Sequence, residues 1–228
     1  MQLTLTLLVA ASMAALTNAH GYFVTPKARV PGPAMQATCG QQAYNMMASD
    51  INGNIQGLQQ VIKGQSDYHA ADCNLWRCKG MKYADNKANV HAYKPGQSIP
   101  MNFAIRAPHT GYANVSIIKT STNKVIAANL KKWDVYASNS VPTVASQENF
   151  SITMPSNLGT KCAKAGDCAI QMHWNAPDID QTYQSCIDFT LSGSAKRWEI
   201  EEGEEVERLH PRDFGGSLAA DDVLTAEA

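Results

Sequence analysis

The chain predicts an all-β fold: an antiparallel β-sandwich of immunoglobulin or fibronectin type, with long loops and short helical turns. Three observations carry this. Ile99, Met101, Phe103 and Ile105 alternate with Pro100, Asn102, Ala104 and Arg106, the period-two mark of a strand with one buried face. Further short strand-like segments follow at residues 113–119, 124–128, 149–154, 168–175 and 185–191, separated by turn residues. No long helical pattern intervenes, and short strands so spaced stack as two sheets rather than as strand–helix–strand units.

Upstream of the sandwich, residues 21–33 carry three prolines and two glycines, which predicts an extended loop over the surface. Residues 38–64 are rich in Gln and Asn without strand alternation, and are expected to form short helical turns and loops. At the start of the chain, residues 3–16 form an uncharged apolar run followed by Thr17-Asn18-Ala19, small residues at the positions a signal peptidase reads. No Lys or Arg precedes the run, yet it is too short to span a bilayer as a helix. Residues 1–19 therefore read as a signal peptide removed on export, residues 20–192 as the folded domain and residues 193–228 as a tail.

The tail is set apart by charge. The whole chain holds 19 Lys and Arg against 20 Asp and Glu. Residues 196–228 contain four of the former and ten of the latter, leaving fifteen and ten in residues 1–195. A segment as acidic as residues 199–207 has little to bury and is expected to stay solvated and disordered. Its Lys196-Arg197 pair could be cut by secretory processing proteases. Elsewhere Lys and Arg are dispersed and form no stripe for nucleic acid, and no second apolar run offers a membrane anchor. Six cysteines (Cys39, Cys73, Cys78, Cys162, Cys168 and Cys186) in a chain with an export signal imply three disulfides. A zinc site is the rival reading, but the Cys73/Cys78 and Cys162/Cys168 spacings are wide for one. Asn114-Val115-Ser116 and Asn149-Phe150-Ser151 are acceptor sequences for N-glycosylation.

Removal of residues 1–19 would make His20 the first residue. An N-terminal histidine can close its α-amine and its ring Nδ1 on one metal ion. A second imidazole then completes a T-shaped set of three nitrogens, and a tetragonal nitrogen plane favours copper. The second imidazole is expected from His109, in Arg106-Ala107-Pro108-His109-Thr110-Gly111, where a strand ends in a loop shaped by Pro and Gly. The third element is Gln181-Thr182-Tyr183-Gln184-Ser185-Cys186, in which Gln181 and Tyr183 share one side of an extended chain. There Tyr183 would sit axial to the copper plane, with Gln181 beside it.

Together these features resemble the fungal lytic polysaccharide monooxygenases, copper enzymes with a histidine brace. Ser49-Asp50-Ile51-Asn52-Gly53-Asn54-Ile55-Gln56-Gly57, Cys73-Asn74-Leu75-Trp76-Arg77-Cys78-Lys79-Gly80 and residues 106–111 are similar to auxiliary-activity family sixteen, while the Gln-x-Tyr-x-x-Cys string is shared more widely, with family nine. The likeness covers about residues 20–192. It implies one copper ion held by His20 and His109, Tyr183 as axial residue, Gln181 beside it, and, less securely matched, His173 behind the ligands. It further implies a secreted monomer acting on cellulose or a related insoluble polysaccharide at C1, with an external electron donor and dioxygen or hydrogen peroxide. For the disulfides, near neighbours closing small loops suggest Cys73–Cys78 and Cys162–Cys168, and elimination with the resemblance leaves Cys39–Cys186.

Copper chemistry of this kind needs no glycosidase-type carboxylate pair, and none is evident. Three readings of other kinds stay open: a secreted brace protein that holds copper without oxidising polysaccharide, a metal-free carbohydrate-binding module, and a chitin-active enzyme. Copper-holding proteins of the first kind tend to have an Asp near the metal, where this chain offers Tyr183 and Gln181.

Overall fold

The computed structural model describes residues 20–192; the expected signal peptide and the acidic tail with Lys196-Arg197 lie outside the described residues. Among the described residues eight strands are present: β1 (His20–Thr25), β2 (Val90–Tyr93), β3 (Ser98–Ala107), β4 (Gly111–Lys119), β5 (Lys124–Tyr136), β6 (Asn149–Thr153), β7 (Cys168–Ala176) and β8 (Gln181–Leu191). They form a three-stranded sheet in the order β1-β3-β6 and a five-stranded sheet in the order β2-β8-β7-β4-β5. Every pairing is antiparallel except β2 with β8. The predicted sandwich is thus what the chain builds.

Between the sheets lies one apolar core. Phe23, Ile99, Met101 and Phe103 come from the smaller sheet, and Val115, Ile117, Met172, Trp174, Tyr183, Ile187 and Phe189 from the larger. The odd-numbered apolar residues of β3 that alternate in the sequence are the ones that turn inward. Burying each such aliphatic or aromatic side chain contributes about 1.5–3 kcal/mol.

β2 is not expected from the sequence, and three further strands depart from expectation by more than two residues, each for a physical reason. Residues 20–25 form β1 and not a loop, because the chain-breaking prolines begin only at Pro26 and the stretch before it pairs with β3. β5 runs to Tyr136, well past residue 128. Its ladder with β4 slips from Ile117 opposite Ala127 to Val115 opposite Lys131, and Asn129 has a positive φ of 54°. This bulge interrupts the alternation that a sequence reading follows. β8 starts at Gln181, ahead of residue 185, because both of its faces are covered and no polar alternation marks its first half.

Three helices, α1 (Pro33–Cys39), α2 (Gln41–Ser49) and α3 (Ile55–Ile62), form a second apolar cluster around Met35, Cys39, Ala43, Met47, Ile55 and Leu58. α1 begins with Pro33, and the carboxylate of Asp85 accepts hydrogen bonds from the backbone N–H groups of Ala34 (2.8 Å) and Met35 (2.9 Å) in its first turn. α3 is capped by Asn54, whose Oδ1 accepts from the Gly57 N–H at 2.6 Å, and its Ile55, Leu58 and Ile62 line one helical face. A short fourth helix, α4 (Ala145–Glu148), leads into β6.

All six cysteines are bonded, which removes the zinc reading, but only one pair matches expectation. Cys162 joins Cys168, while Cys39 joins Cys73 and Cys78 joins Cys186. The expected Cys73–Cys78 and Cys39–Cys186 pairs are therefore corrected. A turn closed by Arg77 N–H to Asn74 O (3.1 Å) separates Cys73 from Cys78, and a second, closed by Gly80 N–H to Arg77 O (3.1 Å), carries Cys78 itself. Cys73 stays in the helical cluster beside Cys39, and Cys78 meets the face of β8 that carries Cys186.

Candidate metal centre

Three stretches remote in sequence meet at one end of the sandwich, and the strand registers bring them there. In the β1–β3 ladder His20 lies opposite Ala107, two residues before His109. The β3–β4 connection, Pro108-His109-Thr110, carries a half-buried His109. Next comes Gly111, where an added Cβ would lie 2.0 Å from the Asn175 carbonyl oxygen, so only glycine lets this connection sit directly on β7. Tyr112 pairs with Asn175, and across the next ladder Ala176 pairs with Gln181 and Trp174 with Tyr183. The β7–β8 hairpin is closed by a 3₁₀ turn, Pro177–Ile179, with Asp180 in the left-handed region at φ 47°. Short polar Asp tolerates that conformation better than most residues.

The two sheets are also tied across the core at this end. The Phe23 N–H donates to Ser185 Oγ at 3.0 Å, which seats β1 against β8 two residues past Tyr183. At Gly21, directly after His20, a Cβ would fall 2.4 Å from Cε1 of Phe103. A side chain there would push the start of β1 off the core, which gives the His-Gly pair a steric reason.

Tyr183 is fully buried, and its hydroxyl donates a hydrogen bond to Gln181 Oε1. The ring packs on Trp174 with centroids 4.6 Å apart. Burial raises the phenol above its ordinary range, and a hydrogen bond from the Asn54 side chain pulls the other way. The structure thus brings together the backbone of His20, the loop of His109, and the hydrogen-bonded Gln181–Tyr183 pair.

His173 is not part of this set. On β7, Met172 and Trp174 face the core, so His173 between them points to the opposite face of the sheet from Tyr183. There its Nδ1 is 3.3 Å from Nε2 of Gln184, and burial lowers its pKa, favouring the neutral ring. The expectation that His173 stands behind the ligands is corrected: strand alternation puts a sheet between it and Tyr183. Of the two glycosylation candidates, Asn149 is exposed at the start of β6, with Oδ1 accepting from Asn102 Nδ2 at 2.7 Å. Asn114 is half-buried on β4, between β5 and β7, and its Oδ1 accepts from the Ser116 hydroxyl at 3.0 Å.

Sequence reasoning gave no role to Asn54, Gln56 or Lys79, although all three lie in the strings that carried the resemblance. The Asn54 cap was visible as an Asn before an apolar-periodic helix; the bonds of Gln56 to Thr182 and of Lys79 to the Ile51 and Gly53 carbonyls are tertiary and leave no local signal.

No group of three or more His, Cys, Asp or Glu side chains fit to hold a metal ion occurs among the described residues. The donors at this end are of another kind: the nitrogen of His20 once it is a terminal amine, the His109 imidazole, and a buried tyrosine hydroxyl. Nitrogen ligands with a weak axial oxygen fit copper. No helix among the described residues is long and apolar enough to cross a membrane.

The sequence profile described as lytic polysaccharide mono-oxygenase, cellulose-degrading, matches residues 20–189. It gives no support to the narrower placement in auxiliary-activity family sixteen. No curated protein matches the chain. Among solved structures, the AA15 lytic polysaccharide monooxygenase of Thermobia domestica in its Cu(I) state is similar at 14% identity and TM-score 0.42, covering 75% of this chain and 98% of that one. The AA10 enzyme of Streptomyces lividans is similar at 17% identity and TM-score 0.40, covering 75% and 99%. A chitin-binding domain from Burkholderia pseudomallei is similar at 12% identity and TM-score 0.40, covering 76% and 100%. On the profile match, which runs from His20 through nearly all of the sandwich, this chain belongs to the lytic polysaccharide monooxygenases, copper enzymes that oxidise polysaccharides.

Proposed function

We propose that this protein is exported, trimmed to begin at His20, and acts as a monomer that oxidatively cleaves cellulose at C1. One copper ion would be held by the α-amine and ring of His20 and by the ring of His109, with Tyr183 axial. The observation that carries the reading is the β1–β3 register, in which His20 pairs with Ala107, two residues from His109. It supports a site shared by the first residue of the trimmed chain and the one histidine of the β3–β4 connection.

Bound copper would supply the one-electron chemistry, with an external electron donor and dioxygen or hydrogen peroxide, that hydroxylates a strong C–H bond beside the glycosidic oxygen. The chain's own contribution is geometric. Trimming frees the His20 amine, and Gly21 keeps the start of β1 seated on Phe103. The hydrogen bond to Gln181 fixes where the Tyr183 proton points.

The test is to load the protein beginning at His20 with copper, incubate it with cellulose and a reductant, and identify products by mass spectrometry. Reductant-dependent aldonic acids are expected. Ketoaldose products alone would overturn C1 attack. If cellulose yields nothing while His109→Ala abolishes copper binding, the site holds copper for a purpose other than cellulose oxidation, and chitin is the next substrate to assay.

A further inference from the structure

The two acceptor sequences for N-glycosylation have no part in that reading, and the fold treats them differently. Asn149 is exposed and opens β6, which has a paired strand on one side only. Its Oδ1 accepts from Asn102 Nδ2 at 2.7 Å, while its own Nδ2, the atom a glycan would join, makes no hydrogen bond among the described residues. In the β3–β6 ladder Asn149 lies opposite Asn102 and Ser151 opposite Pro100. Phe150 and Ile152, between and after them, pack on the core, so the Asn and the Ser of the acceptor sequence both face outward. An open groove of about 520 Å³ lies on that face, with Thr25, Pro100, Asn102, Asn149, Phe150 and Ser151 among its lining residues. Its volume is in the range of small-molecule sites. Thr25, Asn102 and Ser151 offer hydrogen-bond partners to sugar hydroxyls, and Pro100 and Phe150 offer apolar surface to the C–H face of a pyranose.

Asn114 is placed otherwise. It is half-buried on β4, with Lys132 opposite it on β5 and His173 opposite it on β7. Cross-strand neighbours stand roughly 5 Å away, so a sugar on Asn114 must displace them. Ser116, the third residue of that acceptor sequence, is 4% exposed. Its hydroxyl donates to Asn114 Oδ1 at 3.0 Å and accepts from the Asn129 N–H at 3.3 Å, where β5 bulges. The strands beside β4 thus occupy the space that a glycan there would need.

We propose that Asn149 carries an N-linked glycan whose first sugars lie along the groove on the outer face of the three-stranded sheet, and that Asn114 carries none. This requires export of the chain, as the reading above has it, because the modification belongs to the secretory route. Asn149 Nδ2 forms a bond to the anomeric carbon of a lipid diphosphate-linked oligosaccharide. The bond from that carbon to the diphosphate breaks, the lipid diphosphate leaves with the electron pair, and the amide proton passes to a base of the transferring enzyme. On the folded protein the hydrated glycan covers β6, an edge strand that could otherwise pair with a strand of another molecule. The metal end stays clear: Asn102, opposite Asn149, lies five residues along β3 from Ala107, about 17 Å at the rise of an antiparallel strand.

The full chain is secreted from a eukaryotic host, treated with an amidase that converts each glycosylated Asn to Asp, and mapped as peptides by mass spectrometry. Conversion is expected at Asn149 and not at Asn114. Ser151→Ala, which leaves Asn149 and its bond to Asn102 in place, is expected to lose the glycan completely; Ser151→Thr should keep it, and Asn114→Gln should change nothing. Hydrogen exchange along β6 is expected to be slower with the glycan than after its removal. An unmodified Asn149 in the secreted protein, or a glycan on Asn114, overturns the assignment. Equal exchange with and without the glycan overturns its seating in the groove. Chain kept inside the cell with residues 1–19 still attached overturns export, and the glycan with it. Copper binding by the protein beginning at His20 is expected to be the same before and after the glycan is removed, so a failure of the copper reading is seen separately. A change in binding on removal would put the glycan at the metal end and overturn the groove.

Discussion

The two faces of β8 are held by different physics. Toward the core, Tyr183, Ile187 and Phe189 pack among aromatic and aliphatic neighbours, with Trp174 against Tyr183 and Tyr93 at 6.1 Å from Phe189. Toward the helical cluster, Thr182 bonds Gln56, Gln184 accepts from Cys78, Cys186 is bridged to Cys78, and Asp188 takes two hydrogen bonds from Arg29 at 2.6 and 2.7 Å. Apolar packing is non-directional and tolerates adjustment. The polar side names its partner at every second residue. One face makes the strand stable; the other fixes which loop lies beside it.

This contrast predicts unequal costs on the two faces. Asp188 is fully buried and Arg29 is 4% exposed. Asp188→Ala leaves an uncompensated guanidinium inside the protein and is expected to cost about 3–5 kcal/mol by denaturant titration. On the neighbouring core position, Ile187→Val is expected to cost about 0.5–1.5 kcal/mol. Replacing both charged partners, Arg29→Met with Asp188→Leu, should recover most of the loss, because the penalty comes from the orphaned charge. Similar losses for Asp188→Ala and Ile187→Val would dissolve the distinction between the faces.

Lys79 sharpens the comparison through pH. Burial pushes its ammonium down to about 7, against the opposing pull of Asp50. In the unfolded chain an ordinary lysine holds its proton to about 10.4. Between these values the unfolded state binds more protons than the folded state, so stability rises with pH across that window and levels off below about 7, where both states are protonated. The contribution is roughly 1 kcal/mol per pH unit at its steepest. Denaturant titrations of wild type and Lys79→Met from neutral pH to pH about 9 should show this slope in the wild type and lose it in the variant. A difference that does not vary with pH would mean that Lys79 is charged in the folded protein throughout.

Legibility in the sequence follows the same division. β3 is plain because its outward residues meet solvent and therefore alternate in polarity. β8 is hidden because its first half, Gln181-Thr182-Tyr183-Gln184-Ser185, is mostly polar although most of it is buried, so no apolar alternation marks its start. Residues with unusual donor chemistry, His20, His109 and the Gln181–Tyr183 pair, can be picked out one by one, and the strand registers bring their stretches to one end. What the sequence withholds is partnership. Cys39 with Cys73, Cys78 with Cys186, and Lys79 beneath the loop leading to Asn54 are decided by how the helical cluster docks on β8, which no local pattern encodes.

His173 gives the smallest expected effect and tests the division most directly. It is the one candidate that sequence reasoning grouped with the metal ligands and that the structure sets on the polar face, beside Gln184. If the sheet insulates the two faces, His173→Gln should leave both copper affinity and the Cu(II) spectrum as in the wild type. Its cost should be limited to about 1 kcal/mol of stability, the worth of one hydrogen bond. His109→Ala, in the same titration, should abolish tight binding. A spectrum altered by His173→Gln would show that the polar face communicates with the metal through the strand. Gln184 would then be the route to examine, since its amide touches His173 on one side and takes the Cys78 N–H on the other, next to the lysine that braces the Asn54 loop.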